Sequence, residues 1–274
     1  MTTDHRNTDP IQISESELGA MTADMDEMHH ASLPALRDAV DEWKQLHSDI
    51  RASAGNVVKT IANRRQFLMG GGIALGGLAL AGCGSSSKSP AASTTTAPTT
   101  SGSGGKLTGD LAIVALAAGL ENLAVATYQG GIDAATAGHL GTVPPAVVTF
   151  ATTAQKHHKA HAAAWNAILT GANKKAVTGV DTTVKTGVVD PAFAKVKDVG
   201  GLANLALELE NVAAATYLNG ISVITAKAGI STAASIQPVE LQHAAILNFV
   251  LGKYPVPDSF GKTAGARLPA DAVG

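Results

Sequence analysis

The chain has 274 residues, 45% of them hydrophobic and only 4% aromatic, with a formal net charge of −2. Basic residues are scattered, so no surface for nucleic acid is expected. An apolar content built from Ala, Leu and Val favours closely packed Ala-rich helices over a sheet of aromatic strands, and a sharp shift of composition along the chain confines the globule to its last two thirds.

Residues 1–60 form a polar, acidic N-terminal extension, in which MTADMDEMHH precedes an amphipathic stretch from Ser32 to about Ile50. This extension holds too few apolar residues for a core of its own and reads as a disordered leader, with Met21 and Met25 as alternative starts. Residues 61–83 have the layout of an export signal. Asn63-Arg64-Arg65-Gln66-Phe67-Leu68 is followed by a Gly-rich apolar run from Met69 to Gly82, ending in Leu80-Ala81-Gly82-Cys83. The run is 14 residues long, short for a bilayer span.

The paired arginines resemble a twin-arginine signal, and Leu-Ala-Gly-Cys resembles a lipobox, whose cysteine is lipidated and becomes the mature N-terminus. These resemblances imply that Arg64 and Arg65 are read by the twin-arginine export machinery. They also imply that lipidated Cys83 anchors the exported protein to the cell membrane. Cys83 is the single cysteine, so no internal disulfide exists. The twin-arginine route carries folded proteins, often with a cofactor already loaded, which favours a metal. Residues 84–105, GSSSKSPAASTTTAPTTSGSGG, read as a flexible tether.

From Lys106 to residue 260 four long helices are expected. The first spans about Gly109 to Ala137 with Thr108 or Asp110 as cap, and the second opens at Pro144-Pro145 and runs to about Thr170. A connection from Gly171 to Val189 leads to Asp190-Pro191, read as cap and first turn, and through Gly200-Gly201 into a third helix ending near Ala228. The fourth holds Val239 to Leu251, started or kinked by Pro238. Residues 261–274 are expected to be an irregular tail. Two helix pairs joined by one longer connection is the layout of a bundle with a single crossover.

An internal repeat marks the first and third helices. LENLAVATYQGGI (120–132) and LENVAAATYLNGI (209–221) are identical at nine of thirteen positions. Each places one glutamate, Glu121 or Glu210, on an otherwise apolar helical stripe. A carboxylate there is costly unless paired, hydrogen-bonded or bound to metal; the alternative is a duplicated packing motif with each Glu bonded to a nearby Asn or Tyr. In the fourth helix Glu240 and His243 form a Glu-x-x-His, while the second offers Gln155, His157, His158 and His161. Only four glutamates occur after Lys106, and the fourth, Glu208, points to another face. His157 and Lys159 read as solvated neighbours, His139 as a loop residue, Trp165 as core, and Tyr128 and Tyr217 as core aromatics with bonded hydroxyls.

The pattern of Glu on the first and third helices and Glu-x-x-His on the second and fourth resembles the ferritin-like superfamily, especially the secreted bacterial domains related to desiccation-associated proteins. The tail motif Gly252 to Phe260 is similar too, and the resemblance covers about residues 108–260. It implies an all-α, four-helix ferritin-like bundle with one long crossover, whose core holds iron or another divalent metal, one or two ions. The second helix departs from the family by having no Glu, so either Gln155 or His158 takes the carboxylate position. Setting His158 against Glu240 and His161 against His243 aligns the following residues better and keeps Trp165 and Ile168 on the buried stripe. The expected ligands are therefore Glu121, His158, His161, Glu210, Glu240 and His243. Three states fit this departure: a modified two-metal site, a single-metal site, or a degenerate bundle. A metal-binding core would allow oxidase-type chemistry; the alternative is a non-catalytic envelope interaction or stress-protection module with a degenerate metal site. No cage assembly is expected, given the tether and tail.

Overall fold

The computed structural model describes residues 14–70 and 107–267, and every regular element among them is helical. Cys83, the linker 84–105 and residues 268–274 lie outside the described residues. In chain order the helices are α1 (Glu15–Gly70), α2 (Asp110–Thr136), α3 (Pro145–Gly171), α4 (Thr182–Val184), a π-helical turn (Lys185–Val189), α5 (Asp190–Phe193), α6 (Val199–Val223) and α7 (Lys227–Val250). The chain divides into one unit of residues 1–48 with 107–274, and a second of residues 49–106.

The first unit is built on a four-helix bundle, in which α2–α3 and α6–α7 are hairpins joined by the crossover that carries α4, the π-turn and α5. Pro145 starts α3, where a missing N–H costs nothing. At the other end of α7, Gly252 takes the left-handed conformation (φ 66) that stops the helix. By length and composition α2 could cross a bilayer, but Val114, Leu116, Leu120 and Leu123 are core residues here. One apolar cluster surrounds Trp165, Ile168 and Tyr217, and another surrounds Phe150, Tyr128 and Leu247. A third holds the crossover, with Val184 and Val189 against Leu116, Leu120 and Leu123. Asn122 of the first repeat pins that crossover by donating to Val177 O (2.9 Å) and Gly179 O (3.0 Å).

Several elements differ from the expectation. The third helix stops at Val223, and the fourth begins at Lys227 rather than near Pro238, which lies inside it. The carboxylate of Asp110 explains the break: it accepts from Thr225 N (3.1 Å), Thr225 Oγ1 (3.0 Å) and Ala226 N (2.9 Å), tying the α6–α7 turn to the start of α2. Asp110 therefore caps no residue of its own helix, which opens at Gly109 without a side-chain cap. Asp198, not Asp190, caps α6 through Gly201 N (2.7 Å), while Asp190 pairs with Lys185.

The leader differs as well. Residues 15–70 are one helix rather than a disordered extension with a helical stretch from Ser32. Leu18, Thr22, Met25, His29, Leu36 and Val40 are buried, three, four or seven residues apart, which makes a stripe along one face of an otherwise polar helix. Leu18 and Met25 join the Phe150 cluster, and Val40 joins the Trp165 cluster. Each such side chain contributes about 1.5–3 kcal/mol on full burial. Glu15 Oε2 accepts from Ala146 N at the start of α3 (3.1 Å), and the Lys44 side chain lies over Gly171 at its end. Residues 15–44 thus run alongside α3 in the same direction. The tail also returns to the bundle, with Asn248 Nδ2 donating to Pro255 O and Arg267 N donating to Thr216 Oγ1.

Candidate metal centre

Each bundle helix delivers its polar residues to one interior position. Glu121 comes from α2, His158 and His161 from α3, Glu210 from α6, and Glu240 and His243 from α7. All six are buried to 2% exposure or less. Two overlapping sets of four donor atoms, each within 4.8 Å of one another, emerge: Glu121, His158, His161 and Glu240, and His158, Glu210, Glu240 and His243. His158 and Glu240 belong to both sets. The i, i+3 spacings His158/His161 and Glu240/His243 put both members of each pair on the same inward face.

The second helix resolves the choice of register. His158 Nδ1 lies 2.8 Å from Glu121 Oε2, and its Nε2 lies 3.2 Å from Glu210 Oε1. Gln155 turns away instead, donating to Gln129 Oε1 (2.9 Å) and Val125 O (3.2 Å) and accepting from Lys159. His161 Nδ1 and Glu240 Oε1 are 2.9 Å apart but lack hydrogen-bond alignment. Neither oxygen of Glu240 has a hydrogen-bond partner among the described residues, although the side chain is fully buried. Burying acceptors whose hydrogen bonds are unmade is expensive, and a cation between the donors would remove that cost. The donor set, three carboxylates and three imidazoles, suits iron or another hard-to-borderline divalent ion.

Without a cation the cluster balances its own charge. Burial works against a charged His158, yet Glu210 and Glu240 hold its pKa well above the ordinary value. For His161 burial is likewise outweighed by Glu121, and its pKa is raised to about 9. His243 is raised by Glu210 against the same opposition. In return burial would raise Glu121, but His161 and the His158 bond bring it down to about 2, and His158 and His243 hold Glu210 well below its ordinary value. Three imidazoles favouring protonation thus face three carboxylates.

The repeat has a structural purpose in this site. Tyr128 of the first copy donates to Glu210 of the second (2.5 Å), and Tyr217 of the second donates to Glu121 of the first. The tyrosines therefore cross-link the repeats rather than serving the glutamate of their own helix. Burial first, and the adjacent carboxylates second, keep both phenols protonated by raising their pKa well above 10. Trp165 Nε1 extends the chain by donating to the Tyr217 hydroxyl (3.2 Å). Leu120, Leu123, Ala124 and Ala213 line a small cavity that reaches Glu121, His158 and Glu210 between α2 and α6.

Residues expected outside the site mostly lie there: Glu208, His139 and Lys159 are exposed, and Trp165 is core. His157 is the exception. Read as solvated, it is fully buried, because α1 covers that side of α3. His29 of α1 stacks on it with ring centroids 3.9 Å apart. The sequence signal for this contact was the Asp26 to His30 run, DEMHH, in a segment otherwise devoid of histidine clusters. The family model described as a ferritin-like domain matches residues 109–253. No curated protein and no solved structure matches the chain.

Proposed function

Since the chain belongs to the ferritin-like domain family, we propose that its bundle core binds iron or a similar divalent metal, as one or two ions, in a protein exported and held at the membrane by a lipid on Cys83. The observation that carries the metal reading is Glu240, a fully buried carboxylate shared by both donor sets whose oxygens have no hydrogen-bond partner among the described residues. Glu121, His161, Glu210 and His243 would hold the ion or ions together with Glu240 and His158, which belong to both donor sets. A bound metal would supply oxygen- or peroxide-linked oxidation of a small substrate.

The protein's own contribution is positional. Tyr128 and Tyr217 fix Oε1 of Glu210 and of Glu121, and Oε2 of each carboxylate is turned to an imidazole, His243 and His158 respectively. The apolar clusters on either side exclude water from the donors. Because His158, His161 and His243 favour protonation in the metal-free state, an ion must displace their protons, so binding releases protons and weakens as pH falls. The export reading rests on the order of Arg64-Arg65, the apolar run and Leu80 to Cys83.

A second reading follows from the charge balance of the metal-free cluster: a non-catalytic envelope module, serving in interaction or stress protection, whose three imidazoles replace the ions. Titration of metal-free protein with Fe(II) under anaerobic conditions separates the two. The metal reading expects saturation at one or two ions per chain with proton release, and loss of that binding in Glu121→Gln with Glu210→Gln. No saturable binding by the wild type would favour the second reading.

A further inference from the structure

One ligand of the site is connected to the leader helix. His243 turns Nδ1 toward Glu210 and Glu240, and its Nε2 lies 3.1 Å from Nδ1 of His157. The Nε2 of His157 in turn lies 3.0 Å from Asp26 Oδ1 on α1. The proton order that satisfies every atom runs outward, with His243 Nε2–H donating to His157 and His157 Nε2–H donating to the Asp26 carboxylate. This leaves His243 Nδ1 to face the donor set. A histidine ligand whose second nitrogen is fixed by a hydrogen-bonded partner is held in one tautomer and one ring orientation, and loss of such a partner typically weakens metal binding 10–100-fold.

We propose that Asp26 and His157 are positioning residues for His243, so that residues 15–48, which lie ahead of the export signal, complete the outer shell of the metal site in the unprocessed chain. The packing agrees: His29 stacks over His157 at 3% exposure, and Leu18 and Met25 seat α1 on the same cluster as Phe150, whose ring meets His243 edge-on. Lys156 adds a second tie to Asp26 (3.4 Å). The inference rests on the metal and export readings above. If a water hydrolyses the Gly82–Cys83 peptide bond, giving a carboxylate on Gly82 and a free amino group on Cys83, then the mature protein loses Asp26 and His29 together. The His157 side of the site is then opened to solvent. The leader thereby acts as an outer shell present during metal loading and absent after export.

The test uses the full 274-residue chain loaded with Co(II), reading its visible spectrum and its rate of release to a chelator. Asp26→Ala is expected to shift the spectrum and speed release about tenfold, Asp26→Glu to restore both, and the exposed neighbour Glu27→Ala to match the wild type. Processed protein recovered from host membranes is expected to lack peptides from residues 15–48 and to release Co(II) like Asp26→Ala. A wild type that takes up no Co(II) overturns the metal reading itself. A wild type that binds Co(II), with Asp26→Ala indistinguishable in spectrum and release, overturns the positioning role. Membrane-derived protein that keeps residues 15–48 overturns the removal of the shell.

Discussion

Replacing His161 with Ala and, separately, Gln155 with Ala tests the geometry of the second helix most sharply. His161 belongs to the donor set with Glu121, His158 and Glu240, whereas Gln155 makes its bonds with α2 and Lys159. Loss of a partner one bond removed from a metal typically weakens binding 10–100-fold, so losing the donor atom itself should cost at least about 100-fold, or about 2.7 kcal/mol. His161→Ala also strips Glu121 and Glu240 of a neighbouring cation, and an uncompensated buried charge costs about 3–5 kcal/mol in the metal-free protein. Gln155→Ala removes hydrogen bonds worth about 1 kcal/mol each and should leave metal affinity unchanged. Equilibrium dialysis against Co(II), with thermal melts to confirm folding, gives both quantities. The reasoning is refuted if Gln155→Ala loses as much metal as His161→Ala.

Tyr217→Phe removes the donor to Glu121 and leaves the buried Trp165 indole N–H without its acceptor; calorimetry should show a loss of about 1–3 kcal/mol, while an unchanged melting temperature would contradict the cross-linked repeat. In metal-free protein stability should peak near pH 6.5. His161, raised to about 9, stabilises fully below 6.5, and its contribution is lost as pH rises through 9. His29 and His157, lowered to about 3 chiefly by burial and then by neighbouring histidines, contribute above 6.5 and lose that contribution as pH falls toward 3. Melting temperatures from pH 4 to 10 that rise steadily in either direction would rule this out. For export, Cys83→Ala should leave the protein exported but not membrane-bound, and Arg64→Lys with Arg65→Lys should retain it in the cytoplasm. Cys83→Ala protein that survives a carbonate wash of the membranes would defeat the lipid anchor.

The bundle was legible because its helices carry strong periodic patterns, and the glutamates because they interrupt apolar stripes. Glu121 and Glu210 could be found by repetition, and Glu240, His243, His158 and His161 by spacing. Helix ends were less readable where the deciding group is remote in sequence: Asp110 sets the α6–α7 turn from 115 residues away, and no local pattern around Thr225 announces it. The crossed tyrosines were hidden for the same reason, since helical spacing places Tyr128 beside Glu121 while the fold delivers its hydroxyl to Glu210. The role of α1 escaped because its stripe alternates apolar residues with Thr22 and His29, which makes it too weak a pattern to register without the surface of α3 that receives it.

The most direct measurement of the central claim is the metal content of the protein purified from its native host, by elemental analysis against protein concentration. The six-residue centre predicts one or two equivalents of iron or another divalent metal per chain, lost in Glu240→Gln. Protein recovered folded from that host with no stoichiometric metal would contradict it.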